Sequence, residues 1–197
     1  MLVIKRHKFT IPFVSLCTNS TESLLYLSQL NTLMSFQLRP ATSHDIPQIL
    51  AIVNHTIATS TANYNYEAQT LAEQMAWFEA KQQQNFPVIV AAENDLVFGY
   101  GTYGTFREKI GYQYTVEHSV YVKTDQQGKG IGKALLTQLI VQAKAEGYHV
   151  MVGGIDAKNT KSIAFNQKMG FEIVGHLKQV GYKFDQWLDL CFIQRIL

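Results

Sequence analysis

The residues Gln127-Gly128-Lys129-Gly130-Ile131-Gly132-Lys133 stand between two different hydrophobic patterns. Before them runs an alternating segment with Val116, His118, Val120 and Val122; after them Ala134, Leu135, Leu136, Leu139, Ile140 and Ala143 repeat at helical spacing. A glycine-rich turn from strand to helix exposes backbone N–H groups, and the helix N-terminus adds partial positive charge, so the turn suits a phosphate. Spacing separates the kinds of phosphate loop. A P-loop would need Gly at the place of Gln127 and Ser or Thr at the place of Ala134. A dinucleotide fingerprint fails in both frames, because its third glycine falls on Lys133 or on Leu135. What remains is Gln-x-x-Gly-x-Gly.

A second motif follows. Asn159-Thr-Lys-Ser162-Ile-Ala-Phe165-Asn-Gln-Lys168-Met169-Gly170-Phe171 opens on a good helix N-cap and closes with glycine where a C′ residue belongs. In this order, the two motifs resemble the signatures of the GCN5-related N-acetyltransferase superfamily. The resemblance implies an α/β fold with a mixed central sheet flanked by helices, and acetyl-CoA as co-substrate. Gln127 to Lys133 (Gly128, Lys129, Gly130, Ile131 and Gly132 between them) would hold the pyrophosphate. Asn159 would open the helix beside the pantetheine arm, and it and Lys168, further along that helix, would contact the cofactor.

Acetyl transfer to an amine starts from an activated thioester, so the site must orient the amine, accept its proton and stabilise the oxyanion. Glu117 is the leading candidate for the base. A carboxylate inside an apolar strand is costly without a purpose, and burial would raise its pKa toward a useful range. By alternation it shares a face with Ser119 and Tyr121, whereas the rival base His118 points to the other face. Arg107 suits a carboxylate or oxoanion, which guanidinium binds bidentately. Tyr64, Tyr66 and Phe106 are possible pocket walls.

The run Thr115-Val-Glu117-His118-Ser119-Val120-Tyr121-Val122, together with Tyr103 to Arg107 and Gln179 to Asp189, is similar to one branch of the superfamily. That branch is the phosphinothricin and methionine sulfone or sulfoximine N-acetyltransferases, and the likeness runs from about Met34 to the C-terminus. It implies a small amino-acid-like amine as acceptor, Glu117 as base and a homodimer, for which Trp77, Phe78 and Trp187 are possible interface aromatics. Backbone groups of Val120, Tyr121 and Val122 would meet the acetyl and pantetheine units, and Arg107, Glu117, His118 and Ser119 the acceptor. One departure stands out: many superfamily members carry tyrosine, as thiolate acid, where this chain has Asn166. Water or Tyr182 would then serve. Acetylation of a protein N-terminus or lysine, and a non-catalytic acetyl-CoA-binding module, are the competing functions.

These residues need a scaffold, and the pattern predicts βααβββαβαββ from Met34 onward. Ser43 is expected to cap the first helix, with Pro47 in its first turn, and Thr70 the second. Val88–Ala92 and Val97–Gly104 read as a hairpin around Asn94-Asp95, and Val116–Val122 as the central strand. The long helix covers Gly130–Glu146, followed by a strand at Val150–Ile155 and a helix at Asn159–Met169. Phe171–Leu177 and Trp187–Ile193 close the sheet.

Residues 1–33 differ from the rest. A basic cluster (Lys5, Arg6, Lys8) precedes an apolar stretch broken by Ser15, Thr18 and Asn19, so an upstream extension before a start at Met34 is the simplest reading. A targeting segment or a packing arm are the alternatives. The domain is therefore expected over 34–197. With 47% apolar and 16% charged residues the chain reads as a globular protein, and a net charge of +2 gives no case for a nucleic-acid partner. No apolar run is long enough for a membrane span. Two cysteines, Cys17 and Cys191, have no metal-ligand spacing, so no metal and a reduced, cytoplasmic setting are expected.

Overall fold

The computed structural model describes residues 36–197; the extension 1–33 and the proposed start at Met34 lie outside them. The elements are β1 (Gln37–Pro40), α1 (Ile46–Thr59), α2 (Leu71–Gln83), β2 (Val88–Glu93), β3 (Leu96–Thr105), β4 (Thr115–Val122), α3 (Ile131–Ala145), β5 (Val150–Asp156), α4 (Thr160–Lys168), β6 (Glu172–Lys183) and β7 (Gln186–Ile196). They form one seven-stranded sheet in the order β1-β2-β3-β4-β5-β7-β6. Every neighbouring pair is antiparallel except β4 and β5, which run parallel.

Each face of the sheet carries its own core. On one side α1 and α2 bury Ile46, Ile49, Ile52, Val53, Ile57 and Phe78 against Val88, Val90, Val97 and Tyr100. On the other, α3 buries Leu135, Leu136, Leu139 and Ile140 against Ile89, Tyr103, Val116, Met151 and Ile193. Each of these leucines contributes roughly 2 kcal/mol by leaving water. Phe78 is thus a core residue, which removes it from the interface aromatics. Trp77 is half-buried with its ring edge-on to Tyr100 at 6.1 Å, and Trp187 is exposed.

The local expectations hold with two corrections. Thr70 accepts a hydrogen bond from the Glu73 amide, and Glu73 accepts from the Thr70 amide at 2.7 Å, a reciprocal cap. The first helix, however, is not capped by Ser43. A 3₁₀ turn over Ser43–Asp45 precedes it, and the Asp45 carboxylate accepts from the Thr42 amide and binds Arg39 bidentately at 2.7 and 2.8 Å. The final hairpin is also longer than its apolar pattern suggested. β6 continues to Lys183 past a bulge between Leu177 and Gly181, where Gln179 has φ 53°. An irregularity of this kind interrupts side-chain alternation without ending the strand.

Candidate active site

The β4–β5 ladder is short. Thr115 pairs with Val150, Val116 with Met151 and Glu117 with Val152, and there it stops, although β4 runs on to Val122 and β5 to Asp156. Beyond this rung each strand is paired only on its outer side, β4 with β3 and β5 with β7. The sheet therefore forks. Backbone groups on the inner edges of His118 to Val122 and of Gly153 to Asp156 face a gap, and unpaired backbone inside a sheet calls for a polar partner lying along it.

At the open end of the fork stands the N-terminus of α3. Gly128 and Gly130 have φ of 78° and 82°, the left-handed region that suits glycine, and Gly130 is the N-cap. A Cβ at either would meet nothing within 4 Å, so conformation rather than space selects glycine at both. Ile131 is buried and anchors the turn, whereas Gln127, Gly128, Lys129, Gly130 and Lys133 are exposed, with the Lys129 ammonium on Gln126 Oε1 at 2.9 Å. Gly132 sits between Val122 and Phe165, which brings the middle of α4 beside the loop. First-turn amides of α3 have no intrahelical acceptor and point outward, which makes the turn an anion cradle.

Asn159 caps α4 by accepting from the Ser162 amide at 3.1 Å, while its own amide donates to the Asp156 carbonyl. Lys168 is exposed in the last turn of α4, at the end away from Asn159. Asn166 is buried; its amide nitrogen donates to the Ser162 carbonyl at 2.9 Å and its side-chain oxygen has no partner among the described residues. It is folded back on its own helix and carries no transferable proton. Tyr182 is exposed and packs edge-on against Trp187.

Glu117 and His118 occupy the fork itself and face opposite ways. Glu117 lies on the α1/α2 side; a Cβ at Gly154 would stand 3.7 Å from its Oε1, and no described residue donates a hydrogen bond to its carboxylate. Burial pushes its pKa up, against the opposing pull of the Arg107 and then the Lys81 cations. His118 lies on the α3 side, its ring 5.0 Å from that of Phe171 and its Nε2 against Gly153. Both ring nitrogens are sealed from solvent without a partner among the described residues, and burial brings its pKa down to about 4. The opposite facing follows from alternation. The difference in proton affinity comes from what each face packs against.

Ser119 and Tyr121 share the Glu117 face; Ser119 lies opposite Thr102 on β3, and Tyr121 stacks on Tyr100 at 5.4 Å with Asn63 beside its hydroxyl. Arg107 is exposed over the rings of Phe106 (5.1 Å) and Tyr112 (6.0 Å).

The segment from Thr59 to Tyr66 covers this face. The Thr61 hydroxyl donates to Asp156, Tyr64 lies so close over Gly181 that a Cβ there would clash at 2.5 Å, and the Tyr66 hydroxyl donates to the Tyr182 carbonyl. Lys183, buried at 3% exposure, ties the segment down by donating to the carbonyls of Ile57, Ser60 and Asn63 at 2.7, 2.9 and 2.5 Å. A cavity of about 370 Å³ opens beside it, lined by Thr61, Asp156, Lys158, Asn159 and Phe184 among others. Lys183, Asp156 and Lys81 have no signal in the sequence, because each gains its meaning from a partner far along the chain. Among the described residues no three His, Cys, Asp or Glu side chains gather as metal ligands.

Known proteins share this fold. The family model for the acetyltransferase (GNAT) domain matches residues 38–192. An L-methionine sulfoximine/L-methionine sulfone acetyltransferase from Pseudomonas paraeruginosa is 47% identical over 162 residues, which cover 82% of this chain and 94% of that protein. A GNAT superfamily phosphinothricin acetyltransferase from Sinorhizobium meliloti, solved in complex with acetyl-CoA, superposes with a TM-score of 0.80 at 34% identity, covering 83% of this chain and 89% of that one. A ribosomal-protein-alanine N-acetyltransferase from Brucella melitensis superposes with a TM-score of 0.80 at 43% identity, covering 82% and 99%.

Proposed function

The chain belongs to the GNAT acetyltransferase family, and from that premise we propose that it acetylates the α-amine of a small amino acid with a tetrahedral polar head. Methionine sulfone, methionine sulfoximine and phosphinothricin are the acceptors this reading names. Acetyl-CoA is the co-substrate. The observation that carries the reading is the fork: it opens one rung after Glu117 and leads to the glycine turn of α3.

In this assignment the chain's own residues divide the work. Gln127 to Lys133 hold the pyrophosphate on backbone amides, the inner edge from Val120 to Val122 hydrogen-bonds the pantetheine arm, and Asn159 and Lys168 border it. Arg107 takes the acceptor's carboxylate or head-group oxygen, with Ser119 completing the surroundings; the His118 ring, expected among them, is turned to the α3 side and sealed there, so it takes no part. Glu117 accepts the proton of the attacking amine as the C–N bond forms and the C–S bond breaks. With no hydrogen bond from any described residue its lone pairs are available, and its burial favours a pKa nearer the working pH. With Asn166 at the usual acid position, the departing thiolate takes its proton from water.

A second reading is acetylation of a protein N-terminus, favoured by the likeness to the Brucella structure. A peptide needs an open groove. Against it stands the Thr59–Tyr66 segment, which Lys183 and Tyr64 fasten across the Glu117 face. The chain acts as a homodimer in the cytoplasm on this proposal; the edge strand β6 exposes Ile173, Val174, Leu177 and Val180, apolar surface that pairing of two copies along this edge would cover. No described helix is long and apolar enough to cross a membrane. Thiol release from acetyl-CoA, measured with the three small acceptors and an alanine-initiated peptide, decides the acceptor class. Turnover is expected with the small acceptors and lost on the order of 10²–10⁴-fold in Glu117→Gln. Turnover of the peptide alone would establish the second reading, and acetyl-CoA binding with no turnover would leave a binding module.

A further inference from the structure

Lys81 is a lysine in the last turn of α2, where solvent exposure would be ordinary. Instead its side chain runs inward to the sheet. The ammonium donates to the Tyr103 carbonyl at 2.9 Å and lies 5.3 Å from the centre of the Phe86 ring. It rests directly on Gly104, where a Cβ would come within 2.5 Å of Nζ. Gly104 is the cross-strand partner of Glu117. Thus one strand away from the carboxylate, the sheet has a residue without a side chain, and the space is filled by a cation from the helix above. No carboxylate forms an ion pair with Lys81 among the described residues.

Resting on the reading of Glu117 as base, we propose that Lys81 is a positioning residue: it holds an ammonium over Gly104 to keep the neighbouring Glu117 ionised and ready for the acceptor's proton. Two cations face the carboxylate, Lys81 from α2 and Arg107 from the loop after β3, while the β5 neighbour Gly154 brings no charge. They differ in kind. Arg107 is exposed and free to turn to an acceptor, whereas Lys81 is held by a backbone carbonyl and a ring and is the fixed part of the field. Burial works against the ammonium, and the charge on Glu117 helps to retain it, so each group supports ionisation of the other. Without Lys81 the base would hold its proton to higher pH, and the acidic limb of the pH–rate profile would move with it.

The test compares pH profiles of kcat/KM for the native chain, Glu117→Gln, Lys81→Gln and Lys81→Arg. Lys81→Gln keeps a donor for the Tyr103 carbonyl and removes the charge; Lys81→Arg keeps both. The acidic limb is expected to be absent in Glu117→Gln, shifted upward by about one pH unit in Lys81→Gln, and back in place in Lys81→Arg. If Glu117→Gln loses the limb while that of Lys81→Gln stays within about 0.2 pH unit of native, Lys81 has only a packing role and the inference is overturned. A limb that survives Glu117→Gln overturns the base assignment itself. Should Lys81→Gln fail to fold, Lys81→Met supplies the same neutralisation and the same comparison.

Discussion

Replacing His118 by leucine tests how differently the two consecutive residues of the fork are housed. The histidine is neutral in the folded chain down to about pH 4, whereas its ordinary value is 6.5. A folded-state value below the unfolded one means that the unfolded chain binds the proton first, so stability is lost as pH falls from 6.5 toward 4. For one such group the loss is RT times the logarithm of the ratio of the two binding polynomials, about 2 kcal/mol at pH 5 and about 3 kcal/mol at pH 4. Leucine has a comparable volume and no titrating group. It also removes two ring nitrogens that are buried without partners, so near pH 7.5 the variant should be as stable as the native chain or more so. Urea unfolding at several pH values between 7.5 and 5 reads the difference. The native curve should fall away from the variant's by about 2 kcal/mol at the acid end, a gap of roughly 4–8 °C in Tm for a domain of this size. Other acid-sensitive groups, Asp45 with its carboxyl held down by Arg39 among them, titrate in both proteins and cancel. Two curves that stay parallel throughout would show that His118 titrates freely, and the argument that its face denies it a proton would be wrong.

Two further outcomes follow from the loop and its fastening. Gly130→Val must place a β-branched residue at φ 82°, at a cost of about 1–2 kcal/mol, and should raise the KM for acetyl-CoA while leaving that for the acceptor unchanged; equal effects on both constants would detach the loop from the pyrophosphate. Lys183→Met leaves three carbonyls without their donor and should lower stability by on the order of 2 kcal/mol, with a rise in acceptor KM and unchanged affinity for acetyl-CoA by calorimetry. An unmoved acceptor KM in a folded Lys183→Met would mean the Thr59–Tyr66 segment is not part of the acceptor site.

What could be read in advance was what the chain writes locally. Glycines 128, 130 and 170 announce positive φ, Thr70 and Asn159 announce caps, and alternation alone puts Glu117 and His118 on opposite faces. The α1 start has no local mark, because Asp45 serves Thr42 and Arg39 together, and the second of these comes from β1. The length of β6 was missed because Gln179 and Gly181 look like turn residues, although they sit in a bulge beside Asp189, which accepts from the Gln179 amide. Lys81 and Lys183 could not be found at all. A lysine in a helix and one near a hairpin turn are unremarked until the fold brings Gly104 beneath one and the carbonyls of Ile57, Ser60 and Asn63 around the other.

The end of the β4–β5 ladder is the least local feature of all, and it explains why neighbours on one strand have opposite chemistry. A parallel pair can part only where each strand has its outer partner to hold it, here β3 and β7. At the last shared rung Glu117 has Gly104 across on β3, and Gly154, two residues past its β5 partner Val152, lies near its oxygen, so the carboxylate has room and the charges of Lys81 and Arg107 act on it. One residue on, the alternation turns His118 into the space between Gly153 and Phe171 on the α3 side, where no polar group of the described residues meets it. On the proposed assignment the same fork keeps the base Glu117 on the α1/α2 side, with Arg107, and leaves the α3 side to the glycine turn. Swapping the two residues, Glu117→His with His118→Glu, would place an ionisable carboxylate in the sealed pocket and an imidazole in the open one. That double variant should lose activity and be less stable near pH 7.5 than either residue's neutral replacement, because only the outward face supplies the cations a carboxylate needs.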